Sequence, residues 1–390
     1  MNREHRFSRA TSGLAGSPMF KVLARAEELE KQGRHLVHFE IGDPDFSTPA
    51  HITQAAVDAL HAGDTHYANS LGIAELREAI AESVAADLGC KPRVGQVVVA
   101  PAISFIYFIA RCLVDPGDEI IVSDPGYSSY FSAFDFVGAR TVLAPTYERN
   151  GFRLKAEDVE RVITPQTRIL FLNSPQNPTG AMMERDDLAG IFALARKHNF
   201  YVLTDEVYAK MTYDVPHYSI SAEDACDERV ILLGGFSKAY AMSGWRLGYA
   251  VAPEPVVEKL GLMIQTVISN VPPFIQRGGI AALTGSQQCV SDMMREYRKR
   301  RDLLVDGLNT VPGISCKKPD GAFYAFPNIT GTGLSSGAFV ERMLEEARVV
   351  LLPGTNFGPG GEGYARLSFS VSEESIKDGL RRMKAAFAHG

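Results

Sequence analysis

What this chain lacks narrows the field before any motif is read. Its five cysteines, Cys90, Cys112, Cys226, Cys289 and Cys316, are odd in number and scattered, and none forms a CxxC pair. That argues against a disulfide-stapled scaffold or a thiolate zinc knuckle and fits reduced thiols in a cytoplasmic protein. His35 and His38 are three residues apart, but no Cys or further His joins them, so no metal is expected. No apolar run is long enough to span a bilayer. The polar, basic opening from Met1 to Arg9 precedes no long apolar stretch, so no secretory signal is expected. With 40 basic and 46 acidic side chains and no long basic run, there is no electrostatic footprint for nucleic acid. The densest cluster, Arg298-Lys299-Arg300-Arg301, reads as the solvated face of a helix.

What is present is ordinary globular composition on a large scale. The 390 residues are 45% hydrophobic, enough for a substantial core and for two or three domains. Helical spacing runs over 17–33, 51–62 and 74–88. From Gln96 short β-branched runs alternate with helical stretches. The strand candidates are 97–100, 119–123, 168–173, 201–205, 230–234 and 247–251, with helices at 105–114 and 186–198 between them. This alternation predicts an α/β fold with a mainly parallel central sheet flanked by helices. After about Ser286 the pattern becomes α+β, with a charged helix over 291–308, strand-like 322–326, a helix over 336–346, then 349–352, 365–370 and a final helix. The expected division is an arm and part of a small domain at 1–45, a large domain at 46–285, and a smaller α+β domain at 286–390.

Ligands in such sheets collect at the carboxyl ends of the strands, and the polar residues of interest fall there. Lys238 follows the apolar run Val230-Ile231-Leu232-Leu233 within Gly235-Phe236-Ser237-Lys238-Ala239-Tyr240, and Arg246 lies eight residues on. A lone lysine is ordinarily solvated. One set among small residues after a buried strand can form a Schiff base with an aldehyde cofactor, and an arginine beside it can neutralise a phosphate. Together they point to pyridoxal 5′-phosphate. Asp205 ends the run Tyr201-Val202-Leu203-Thr204-Asp205, where a carboxylate serves either a protonated ring nitrogen or a helix N-terminus. Asn177 sits in Gln176-Asn177-Pro178-Thr179-Gly180, a turn that can also aim its amide. Ala102 and Ile103 open a helix whose first N–H groups can bind phosphate.

The Lys238 run resembles the lysine-attachment signature of the class I/II aminotransferases, within fold type I of the pyridoxal-phosphate enzymes. Gly42-Asp43-Pro44-Asp45-Phe46, Pro116-Gly117-Asp118-Glu119, Asn177 to Gly180, Asp205 to Tyr208, Gly321-Ala322-Phe323-Tyr324 and Pro353-Gly354 fall in the family's order, so the resemblance covers nearly the whole chain. It implies a large domain and a smaller α+β domain, and transfer of an amino group between an L-amino acid and a 2-oxo acid. Lys238 is then the Schiff-base lysine, Asp205 the ring-nitrogen partner and Tyr208 a donor to the ring oxygen, with Asn177 beside it. Tyr127 stacks on the ring. Ala102, Ile103, Ser237 and Arg246 hold the phosphate. Arg366, Asn177 and the backbone of Gly42 hold the substrate carboxylate. Tyr67 matches a tyrosine that reaches the neighbouring subunit's phosphate, which implies a homodimer. Two positions depart from the family: Pro101 stands where a Gly or Ser is common, and Gly235 where many relatives carry a serine.

Other readings share these residues. The same lysine and ring would serve a β- or γ-eliminating, replacing or carbon–carbon bond-forming enzyme. A ligand-sensing regulator on this fold would usually carry a DNA-binding domain, for which the chain has no spare length. Tyr127 and Arg366 have bland alternatives as a core aromatic and a surface arginine. The amino donor is unassigned: Arg277 is a candidate reader of a side-chain carboxylate, and Phe20, Tyr107, Tyr130 and Phe357 are either pocket or core. Gly358-Pro359-Gly360-Gly361-Glu362-Gly363 fits a dinucleotide fingerprint, but strand-like residues follow it instead of a helix, so it reads as a loop.

Overall fold

The structure, a computed structural model, describes Ser8, Thr11 and residues 19–88 and 91–388, the side chains of Met19, Phe20 and Leu88 excepted. Most of the expected arm, the start of the first helix at Ser17, the Phe20 side chain and Cys90 lie outside the described residues. Helix α1 (Met19–Lys31) leads to the short strand β1 (Val37–His38), then α2 (Ala50–His61) and α3 (Ala74–Leu88). Next come β2 (Val97–Ala100), α4 (Ala102–Leu113), β3 (Glu119–Asp124), α5 (Ser128–Val137), β4 (Arg140–Pro145), α6 (Ala156–Glu160), β5 (Thr167–Asn173), α7 (Arg185–His198), β6 (Tyr201–Asp205), β7 (Val230–Gly235) and β8 (Gly248–Val251).

Strands β2 to β8 form one seven-stranded sheet in the order β2-β8-β7-β6-β5-β3-β4. All neighbours are parallel except β8, which runs against both β2 and β7. β3, β5 and β7 each carry an unbroken apolar run, at 120–122, 169–172 and 230–233, because helices cover both faces. The register sets Asn173 beside Asp205, Asp205 beside Leu233 and Gly235 beside Gly248. The carboxyl ends of the central strands therefore come together along one edge.

The rest is α+β. After α8 (Glu254–Val267) and α9 (Pro273–Thr284), the long α10 (Gln288–Leu308) packs with the terminal α12 (Glu373–Phe387). Between them lie β9 (Tyr324–Ala325), α11 (Ser336–Arg342), β10 (Val349–Val350), β11 (Leu352–Pro353) and β12 (Ala365–Ser368). β12 is the middle of an antiparallel three-stranded sheet, while β1 pairs with β10 in parallel. A separate apolar core joins these elements around Phe39, Tyr297, Phe323, Phe339 and Phe369.

Short β1 and α6 were not expected, nor were four further elements. Strand β4 is an edge strand with a half-exposed pattern, so it lacks an apolar run. Helix α5 is built from Ser, Tyr and Phe, which are weak helix formers, and stops at Gly138 with φ 81°. Helices α8 and α9 begin at prolines, which suit a first turn but read as breakers in sequence. The expected 336–346 helix is α-helical to Arg342, then widens into a π turn over Met343–Ala347 and stops at Arg348, φ 57°. The basic cluster on α10 is a correction. Arg300 and Arg301 are buried, Arg300 paired with Asp45 and Glu296, and Arg301 with Asp214 and Asp302. Buried guanidinium groups are tolerable because each is paired.

Candidate active site

A cleft of about 650 Å³ opens at the carboxyl edge of the large sheet, roofed by the segment after β1 and by β12. Nearly every residue singled out in the sequence lines it: Gly42, Ala102, Ile103, Tyr127, Asn177, Asp205, Tyr208, Ser237, Lys238, Arg246 and Arg366.

Lys238 stands just past β7, and its Nζ donates to the Gly42 carbonyl at 2.6 Å. Enclosure lowers the amine to about 8, helped by the Arg366 and Arg246 charges and opposed by Asp43 and Asp205. Asp205 ends β6. It accepts from the Tyr130 hydroxyl at 2.9 Å and from the Val207 N–H at 3.1 Å. Burial pushes this carboxyl up to about 6, and the two hydrogen bonds act the other way. Such a group gains from a cationic N–H placed opposite it. The Tyr208 and Tyr324 hydroxyls lie 2.8 Å apart, and burial drives the Tyr208 phenol well above its ordinary value.

The helix α4 N-terminus forms one wall. Its first-turn N–H groups have no partner within the helix, and Ala102 and Ile103 face the cleft. Pro101 precedes that turn as N-cap, with φ −54°, so its missing N–H falls outside the helical donors. A Cβ on Gly248 would lie 2.7 Å from the Ala102 Cβ and 2.9 Å from its nitrogen. Only glycine lets β8 and the helix terminus approach this closely. Gly235 is less tightly held, its nearest contact being Val207 at 3.3 Å. Arg246 reaches the same region from a left-handed backbone, φ 55°, and donates to the Ser243 carbonyl at 2.7 Å. The buried Ser237 and also Ser243 line the cleft here. A helix N-terminus with an arginine and hydroxyls suits a phosphate.

At the opposite end Arg366 is 2% exposed, in the middle strand of its sheet. Its guanidinium lies over the Tyr324 ring at 4.6 Å and the Phe357 ring at 5.1 Å. It donates to the Glu40 carbonyl and, at 3.3 Å, to Asn177 Oδ1. Its buried Nε has no partner among the described residues. An orphaned donor on a buried cation suits an anionic ligand such as a carboxylate. Asn177 itself is aimed by its N–H bond to Asn173 Oδ1 at 2.8 Å.

Some expected residues fall elsewhere. Tyr67 is 89% exposed and outside the cleft. Arg277 is held by Asp64 and Glu75, both at 2.9 Å, and does not line the cleft. Tyr130 lines the cleft, Phe357 is buried beneath Arg366, and Tyr107 packs against Phe108 and Phe136. Sequence reasoning gave no role to Tyr130 as the Asp205 partner, to Glu40 or to Leu23. The Gly321-Ala322-Phe323-Tyr324 element hinted at Tyr324, but the Glu40 contribution is a main-chain oxygen and leaves no side-chain signal.

The donors present fit pyridoxal phosphate. A lysine, a buried carboxylate, an aromatic wall and a helix-terminus anion site line one cleft of suitable size. The comparisons agree. Residues 34–383 match the model of the aminotransferase class I and II family. The chain is 42% identical to aromatic-amino-acid aminotransferase 2 of Thermococcus litoralis, across 90% of this chain and 91% of that protein. It is 38% identical to the arginine–pyruvate transaminase of Pseudomonas aeruginosa, across 97% of each. The solved aspartate aminotransferase of Thermus thermophilus with maleate superposes at a TM-score of 0.93 with 35% identity, covering 98% of this chain and 100% of that one. The chain thus belongs to the class I and II aminotransferases, pyridoxal-phosphate-dependent enzymes that move an amino group between an amino acid and a 2-oxo acid.

Proposed function

We propose that Lys238 is the lysine that attaches the cofactor and moves the proton, that Asp205, Tyr208, Asn177 and Tyr127 hold the ring, that Ala102, Ile103, Ser237 and Arg246 hold the phosphate, and that Arg366, Asn177 and Gly42 hold the substrate carboxylate. The carrying observation is the polarity of the cleft, with an anion site at the α4 N-terminus, Lys238 in the middle and the half-satisfied Arg366 guanidinium at the far end.

Bound pyridoxal phosphate supplies an electron sink for the substrate α-carbon. With it bound, Asp205 would hold a proton at the ring nitrogen by accepting its hydrogen bond, and Tyr208 and Asn177 would donate to the ring oxygen. Arg366 fixes the α-carboxylate, which sets the α-hydrogen toward Lys238. The Lys238 amine, already lowered to about 8 by burial, would be the base that takes up that proton and holds it for return. Peptide mapping after borohydride reduction of the cofactor-loaded enzyme is expected to place the cofactor mass on Lys238. A label on another lysine overturns the assignment.

The working unit in this reading is a homodimer in which Tyr67 reaches the partner's phosphate site. Tyr67 shares its exposure with Leu262, at 58%, and Val267, at 62%, on α8. Its loop is packed on that helix, where a Cβ on Gly261 would meet Leu71 at 2.5 Å. Exposed apolar groups so placed favour a second copy over water. Sedimentation is expected to give a dimer, and a fully active monomer refutes it. The small-domain boundaries at 45 and 285 and a cytoplasmic location belong to the same proposal. It draws support from the separate core around Tyr297 and from the unpaired Cys112, Cys226, Cys289 and Cys316.

A further inference from the structure

We infer that Tyr130 is a positioning residue: its hydroxyl holds the Asp205 carboxylate so that the proton shared with the cofactor stays on the ring nitrogen. This rests on Asp205 as the partner of that nitrogen.

Tyr130 stands in the first turn of α5, just after Tyr127, and is 4% exposed although it lines the cleft. Its ring is held on two sides. It lies edge-on to Tyr127, with centroids 5.2 Å apart, and against Phe171 of β5 at 4.1 Å. The hydroxyl reaches Asp205 Oδ2 at 2.9 Å. Packing alone would be served by phenylalanine, as it is at the neighbouring Phe134 and Phe171. A buried hydroxyl calls for a partner, and among the described residues Asp205 is the one it has.

The direction of that bond is settled. Burial holds the Tyr130 phenol well above its ordinary value, and the Asp205 charge adds to this, so at neutral pH the hydroxyl keeps its proton and donates. The other carboxylate oxygen, Oδ1, accepts from the Val207 N–H at 3.1 Å. A carboxylate offers about four acceptor positions, so two donors leave room for a ring N–H. Burial raises the Asp205 carboxyl, and among the influences that oppose it the Tyr130 hydrogen bond is the largest, ahead of the Val207 N–H and the Lys238 charge. The main chain is fixed as well, since Asn173 Nδ2 donates to the Asp205 carbonyl at 2.9 Å.

A carboxylate and a ring nitrogen that face each other share one proton, and the more basic partner holds it. Removing the Tyr130 donor makes the carboxylate more basic, so the proton passes from the ring nitrogen to an Asp205 oxygen. One hydrogen bond to a charged group is worth at least about tenfold in that ratio.

The test is NMR of the enzyme loaded with pyridoxal phosphate that carries ¹⁵N in its ring, where pyridinium and neutral pyridine resonate apart. Tyr130→Phe keeps the ring packing and removes the hydroxyl, and Asp205→Asn removes the carboxylate. Wild type is expected at the pyridinium position and Asp205→Asn at the neutral one. Tyr130→Phe is expected to move toward neutral, with the ratio of protonated to unprotonated ring lowered at least about tenfold. A packing role alone leaves Tyr130→Phe on the wild-type resonance. That result, with Asp205→Asn shifted, overturns the inference and spares the Asp205 reading. Asp205→Asn on the wild-type resonance overturns the Asp205 reading itself.

Discussion

His38 gives the pH dependence of stability a local cause. Its Nδ1 lies 2.8 Å from Glu40 Oε1 and its Nε2 3.0 Å from Glu30 Oε1. With a carboxylate facing each nitrogen, both ring nitrogens carry protons. The imidazolium is held up to about 9, mainly by the hydrogen bond to buried Glu40, and partial burial opposes the shift. A folded value above the unfolded one, about 6.5, means that the stabilisation is complete below pH 6.5 and disappears as pH rises through 9. Taken at face value, the loss between pH 7 and pH 10 is about 2.5 kcal/mol. The side chain is 34% exposed, so solvent screening reduces this to about 1 kcal/mol. His38→Gln keeps an N–H donor for Glu40 but does not titrate. Denaturant unfolding of both proteins, at one protein and cofactor concentration, is expected to show their stability difference shrinking by about 1 kcal/mol from pH 7 to pH 10. A difference constant over that range refutes the imidazolium.

Three further outcomes follow from the cleft. Reconstitution of apoprotein with pyridoxal phosphate needs a neutral amine, so its rate is expected to rise with pH through about 8, the depressed value of Lys238. An inflection at the ordinary lysine value refutes the enclosure. Gly248→Ala drives a methyl into the backbone of Ala102, so cofactor affinity, followed by fluorescence titration, is expected to fall at least about tenfold, the loss of one charge-assisted hydrogen bond. Unchanged affinity shows that the helix terminus does not hold the phosphate. Arg366→Lys loses the planar fork, so the amino-acid KM is expected to rise at least about thirtyfold while cofactor affinity stays, and parallel loss of both contradicts the assignment.

The strands of the large sheet were legible because burial on both faces makes them dense β-branched runs. β2 and β6 match their expected limits. Edge strand β4 and the aromatic helix α5 were not, because one is half-wet and the other has weak propensity. The candidate site was legible in its side chains, since Lys238, Asp205 and Asn177 all line the cleft. It was illegible where the chemistry belongs to the backbone or to distance. Glu40 contributes a carbonyl to Arg366, from a position 326 residues away. Tyr130 looked like any core aromatic until β6 brought Asp205 within 2.9 Å of its hydroxyl. The fate of Arg300 and Arg301 was hidden for the same reason, since Asp45 and Asp214 lie far away in sequence.

The glycine-rich stretch before β12 has a physical explanation that a dinucleotide fingerprint would misread. Both Asp124 carboxylate oxygens accept from the Gly360 N–H at 2.9 Å. A Cβ on Gly358 would lie 2.3 Å from Asp124 Oδ1, and Gly358 has φ 117°. The glycines are needed so that backbone can close on a carboxylate. The Gly126 N–H also donates to the Phe357 carbonyl at 2.7 Å. Asp124 and Gly126 immediately precede Tyr127, and the glycine loop immediately precedes the strand that carries Arg366. The loop therefore ties the Tyr127 wall of the cleft to the strand that carries Arg366. A carboxylate whose two oxygens share one backbone N–H holds that spacing with more rigidity than a contact between flexible side chains.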